Sequence, residues 1–100
     1  MGEKARQAAL LLKILANEHR LMVFCALMGG PLTVGEIAGA IPGISQSGLS
    51  QHLALMKAHG VLACDKAGQN VTYRVADPRA GEVIGVLSKY YCESGEDGFL

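Results

Sequence analysis

One hundred residues, half of them apolar and 18% charged, suffice for a single domain and leave no room for a second. A chain this short buries only about 60–65% of its unfolded surface, so the surplus of apolar residues points to a self-association surface beside the core. The formal net charge is zero, which rules out bulk charge as a reason to expect nucleic acid, and no uncharged apolar run approaches the ~18 residues of a membrane helix.

The charges are unevenly placed. Residues 45–75 carry Lys57, Lys66 and Arg74 against Asp65 alone. Residues 76–100 carry two basic and five acidic side chains. A mildly basic middle and an acidic end fit a DNA-facing surface with a tail directed elsewhere. The N-terminus does not read as a secretory leader, because Lys13 interrupts the short run Ala8–Leu12. The chain is read as cytosolic, and its three cysteines as thiols rather than structural disulfides.

In chain order, residues 4–16 read as a helix with Ala5, Ala8, Ala9, Leu12 and Leu15 on one stripe. Leu10, Leu11 and Ile14 make it apolar on further sides, so it needs more than one neighbour. A second helix spans 18–28, capped by Asn17, with Leu21, Phe24, Cys25 and Met28 as its expected buried face. Gly29-Gly30-Pro31 ends it.

Thr33-Val34-Gly35-Glu36 is a capping box that starts a short helix running to about Ala40. Ile41-Pro42-Gly43 breaks that helix. Ser45 caps a longer helix over 46–59, with Ile44 and Leu49 placed as a hydrophobic staple. Leu49, Leu53 and Met56 form its buried stripe and Gly60 its stop.

Residues 61–66 and 70–75 read as two strands of a hairpin. Asp77-Pro78 opens a last helix whose apolar face is Val83, Ile84, Leu87, Tyr90 and Tyr91. Residues 1–92 thus form one domain, and 93–100 an acidic tail expected to be disordered. The fold is mostly α with a small β-hairpin, in the order helix, helix, helix, helix, strand, strand, helix.

The short and long helices in the middle have the pattern of a helix-turn-helix, whose second helix places its N-terminal residues against base edges in the major groove. Ser45 stands at the cap of that helix, and Gln46, Ser47, Ser50, Gln51 and Lys57 lie opposite its leucines, with His52 beside them. Hydroxyls and amides of that reach can read bases or hold phosphates. The hairpin then serves as a wing, with Lys66, Gln69, Asn70 and Arg74 near the DNA backbone or minor groove.

Five stretches carry a family resemblance. They are Leu15-Ala16-Asn17-Glu18-His19-Arg20-Leu21, Leu32-Thr33-Val34-Gly35-Glu36-Ile37-Ala38, Ser45-Gln46-Ser47-Gly48-Leu49-Ser50-Gln51-His52-Leu53, Gly60-Val61-Leu62 and Val71-Thr72-Tyr73-Arg74-Val75. Together they resemble the ArsR/SmtB family of winged-helix repressors, across most of the chain. The resemblance implies a homodimer held by the first and last helices, bound to double-stranded operator DNA and released by a small-molecule inducer. Two departures stand out: Ile41-Pro42-Gly43-Ile44 is one residue longer than the usual turn, and the wing has Gln69-Asn70 where many members are basic.

The family's metal-sensing members carry Cys-x-Cys sets on the helix before the reading helix, or Asp/His sets on the last helix. Here residues 34–40 hold no Cys or His, and residues 78–92 no His. No metal site and no cofactor is therefore expected, and His19 and His59 show no ligand spacing. Cys25 and Cys92 are similar in placement to the two sensing cysteines of the family's dithiol branch, which responds to persulfides or oxidants. By that resemblance they are the sensing thiols, and Cys64 is a bystander.

A disulfide needs Cα atoms about 4.4–6.8 Å apart, and each inserted sulfur adds roughly 2 Å of reach. A pair held slightly too far apart thus favours a polysulfide bridge. Three alternatives stay open at this point. One is a thiophilic metal or metalloid sensor using the same cysteines, and another a constitutive regulator whose cysteines are inert. The third, a thiol enzyme, is disfavoured because no His or Arg constellation accompanies either cysteine.

Overall fold

A computed structural model describes residues 2–91. The elements run α1 (Gly2–Leu15), α2 (Glu18–Leu27), β1 (Leu32–Thr33), α3 (Val34–Ala40), α4 (Gln46–Ala58), β2 (Leu62–Ala67), β3 (Asn70–Val75) and α5 (Pro78–Tyr91). Cys92 and the expected acidic tail lie outside the described residues. Among the described residues no helix is long and apolar enough to cross a membrane.

The mostly helical, winged architecture is the one the sequence leads to, with one added strand. β1 pairs antiparallel with β3, Leu32 opposite Tyr73 and Thr33 opposite Thr72. The hairpin is therefore two strands of a three-stranded sheet in the order β1-β3-β2. Two residues are too few to show a period-2 pattern, and Thr33 serves at once as strand end and helix cap. The β2–β3 turn is also tighter than expected. Ala67 faces Asn70, leaving Gly68-Gln69 as a two-residue turn. Gly68 has φ +65°, the first central position of a type II′ turn, which glycine fills without strain.

The core gathers one face from every helix: Ile14 and Leu15 of α1, Val23, Phe24 and Leu27 of α2, Ile37 of α3, Leu49, Leu53 and Met56 of α4, and Ala80 and Ile84 of α5. Val61 and Leu62 close it from the root of the wing. Each large side chain so buried contributes roughly 1.5–3 kcal/mol.

On α4 the buried stripe is the expected one. On α2 it is rotated: Val23, Phe24 and Leu27 are buried, Leu21 and Cys25 are half-buried, and Met28 is exposed. Residues 21–28 are apolar without a break, so periodicity could not select a side. On α5, Val83 and Leu87 pack against the core as expected, but Tyr90 and Tyr91 are 74% and 75% exposed. On α1, Ala5, Ala8, Ala9 and Leu12 are exposed and only Leu15 of the expected stripe is buried. The protomer thus keeps apolar surface on both outer helices.

Candidate nucleic-acid interface

The helix-turn-helix is held by its own caps. Thr33 Oγ1 accepts from the Glu36 backbone N–H at 3.1 Å, and Glu36 Oε1 accepts from the Thr33 N–H at 2.9 Å. These Thr33 hydrogen bonds hold the Glu36 carboxyl below its ordinary pKa. α3 ends at Ile41, which turns into the core and carries the chain through Pro42-Gly43. Ser45 then opens α4, its Oγ accepting from the Gly48 N–H at 3.0 Å.

α4 ends in a Schellman motif. Val61 N–H reaches Met56 O at 2.9 Å and Gly60 N–H reaches Lys57 O at 3.0 Å. That closure needs a left-handed residue, and Gly60 supplies it at φ +75°. The same turn delivers the chain into β2, so one local motif fixes the wing relative to the helix.

Gln46, Ser47, Ser50, Gln51 and Lys57 are all exposed, opposite the buried Leu49, Leu53 and Met56. Ser45 is exposed at their N-terminal end. The arrangement is a helix locked on its apolar side and presenting amides and hydroxyls outward, which is what reading base edges requires.

His52 does not join that row. It is half-buried on the flank facing α2, with Nδ1 3.5 Å from Arg20 Nη1 and its ring 5.8 Å from that of His19. Burial, then the charges of Arg20 and His19, push its pKa below the ordinary imidazole value.

On the wing, Lys66, Gln69 and Asn70 are exposed around the turn. Arg74 is exposed too, but its Nε donates to Asp65 Oδ2 across the two strands at 2.8 Å. The wing's arginine is thus already matched by a carboxylate. Sequence reading missed this pair, although the hairpin register would have revealed it, since Asp65 faces Thr72, two residues from Arg74. It also missed Arg20, for which no local signal exists.

Cys25 is half-buried on α2, and α2 packs against α5, at whose end the chain passes from Tyr91 to Cys92. Cys64 is half-buried on β2, opposite Tyr73. Among the described residues no three His, Cys, Asp or Glu side chains converge as a metal site requires.

A capped helix-turn-helix followed by a β wing defines a winged-helix DNA-binding protein. Comparison with known proteins sharpens that class. A family model described as a helix-turn-helix domain matches residues 15–65. The transcriptional activator HlyU of Vibrio cholerae is 35% identical over 96% of this chain and 88% of its own length. Its solved structure superposes with a TM-score of 0.86, covering 93% of this chain and all of that one; a second HlyU structure is described as reduced.

The transcriptional repressor BigR of Xylella fastidiosa superposes with a TM-score of 0.85 at 32% identity, covering 94% of this chain and 95% of that one. A homodimeric winged helix-turn-helix domain from Mycobacterium bovis, described as a possible ArsR-family regulator, does so with a TM-score of 0.77 at 26% identity, covering 89% and 82%. The chain belongs to the ArsR/SmtB family of winged helix-turn-helix transcriptional regulators.

Proposed function

We propose that this chain is a cytoplasmic, homodimeric repressor that occupies operator DNA when reduced and releases it when Cys25 and Cys92 become bridged. The observation that carries the DNA-binding part is α4, capped at both ends, buried on one side and lined on the other by Gln46, Ser47, Ser50, Gln51 and Lys57. Lys66, Gln69, Asn70 and Arg74 flank it from the wing, and Ser45 from the cap. His52 acts from behind the reading surface rather than on it.

Dimerisation is supported by the apolar side chains left exposed on the outer helices, Leu10 and Leu12 on α1 and Val86, Tyr90 and Tyr91 on α5. A homodimer pairs the two reading helices across successive major grooves of a palindromic site. The similar domain from Mycobacterium bovis is described as homodimeric, and BigR as a repressor.

The sensing part rests on placement: Cys25 lies on α2, α2 packs against α5, and Cys92 directly follows α5. The chemistry balances with either inducer. Two low-molecular-weight persulfides each pass one sulfur to a cysteine and leave as thiols. The two cysteine persulfides then condense into a trisulfide and release hydrogen sulfide. With hydrogen peroxide, the two thiols give up two electrons and two protons, a disulfide closes, and two waters leave. Tying α2 to the end of α5 changes the dimer geometry, and half-site spacing tolerates little change.

The test is fluorescence anisotropy on the chain's own upstream DNA. The reduced protein is expected to bind. A glutathione persulfide donor should then weaken binding about 10- to 100-fold, the usual range of allosteric coupling, and dithiothreitol should restore it. C25S and C92S should each bind and no longer respond. Unchanged binding after treatment would sink the sulfur-sensing part, and release by arsenite or a soft metal alone would reassign the cysteines to metal sensing.

A further inference from the structure

We propose that Arg20 is a positioning residue for the DNA-reading helix, bracing α4 against the α1–α2 corner through His52. The inference deepens the reading of α4 above and rests on it for its functional meaning. The brace itself stands on three contacts made by one residue.

The Arg20 backbone N–H donates to the Asn17 cap at 3.1 Å. Its Nε donates to Ile14 O at 2.6 Å. Its Nη1 lies 3.5 Å from His52 Nδ1. Ile14 is in the last turn of α1, where carbonyls lack a helical partner and a cation is favoured. Arg20 therefore joins the end of α1, the start of α2 and the middle of α4, which no other side chain described above does.

His52 sits directly after Gln51 and two residues after Ser50. A rotation of α4 about its axis must carry all three together. The buried leucines fix the depth of α4 in the core, but apolar contacts are non-directional. A polar contact on one flank is what limits rotation.

The contact depends on protonation. Arginine only donates, so His52 Nδ1 must be the accepting nitrogen, with the proton on Nε2. A protonated His52 would turn an N–H toward the guanidinium, and the contact would become repulsive. The charged and titratable groups facing His52 are Arg20 and His19, both on α2. Among the described residues no carboxylate forms an ion pair with any of the three. Neutral His52 is favoured for the same reasons its pKa is depressed: burial, Arg20 and His19. The brace is thus present above the ordinary imidazole pKa and is lost as pH falls below it through the depressed value.

The experiment measures operator affinity of the full, reduced chain between pH 8 and pH 5.5. R20M, which keeps the apolar stem and loses the donors, should bind about tenfold more weakly at pH 8, the scale of one charge-assisted hydrogen bond, and R20K should recover part of that loss. H52N, whose amide oxygen can stand in for Nδ1 without titrating, should lose a smaller share of its pH 8 affinity on acidification than the unmodified chain does. Thermal unfolding of each variant separates misfolding from misplacement.

Equal affinity of R20M and the unmodified chain at pH 8 would overturn the proposal, as would an unchanged acid loss in H52N. If no form binds DNA, the reading of α4 as a reading helix fails instead. Amide hydrogen exchange over residues 50–57 then decides the brace alone: faster exchange in R20M upholds it, and equal exchange overturns it.

Discussion

Between Thr33 and Gly60 the chain meets its own needs. α3 and α4 begin on side-chain caps, α4 closes on a glycine, and its apolar face is wholly covered within the protomer. α1 and α5 are built differently. Each buries two residues and leaves others outside, Leu12 at 56% and Val86 at 57% exposure. The first region is finished in one chain, whereas the second keeps apolar surface outside it. The position of the reading helix is settled within one protomer, and the spacing between two such readers is what a second copy would supply in the proposed dimer.

Substitutions at three positions would break or sharpen that contrast. The largest effect is expected from L53A, which opens a cavity under α4 where nothing outside the protomer can compensate. Its cost is about 3 kcal/mol, read by urea denaturation, with the oligomeric mass unchanged in sedimentation. L12E should do the reverse. It leaves the protomer core intact, shifts the sedimenting species from dimer to monomer, and weakens operator binding about 100-fold through lost bivalency. An unaltered mass would remove α1 from the interface. The smallest effect belongs to S45A, which orphans the Gly48 N–H and should lower stability by about 1 kcal/mol in thermal melts. S45D, which can still accept, should melt near the unmodified chain.

The same contrast explains what the sequence made legible. Thr33 with Glu36, Ser45, Gly60 and Asp77-Pro78 are local signals, each naming its helix boundary within a few residues. Asp77 behaves as expected, its Oδ1 accepting from the Arg79 N–H at 2.9 Å, while the Arg79 side chain holds its carboxyl below the usual range. What stayed hidden required partners far along the chain. β1 exists only because Tyr73 and Thr72 lie across from it. The buried side of α2 is chosen by its neighbours, since residues 21–28 offer apolar surface all round. The turn of His52 toward Arg20 spans thirty-two positions. The pairing of Cys25 with Cys92 rests on family resemblance, with Cys92 outside the described residues.

The Asp65–Arg74 pair bears on how the proposed wing contact would respond to salt. Binding to DNA draws much of its strength from ions set free when protein cations replace those condensed on phosphates, roughly 0.9 of an ion for each phosphate neutralised. Arg74 arrives with its charge already answered by Asp65. If it reaches a phosphate, as proposed above, it exchanges one anion for another, and Asp65 gathers a cation from solution. The gain in ion release is therefore cancelled in part. In the proposed complex the Arg74 contact should depend only shallowly on salt, leaving the steeper share to Lys57 and Lys66.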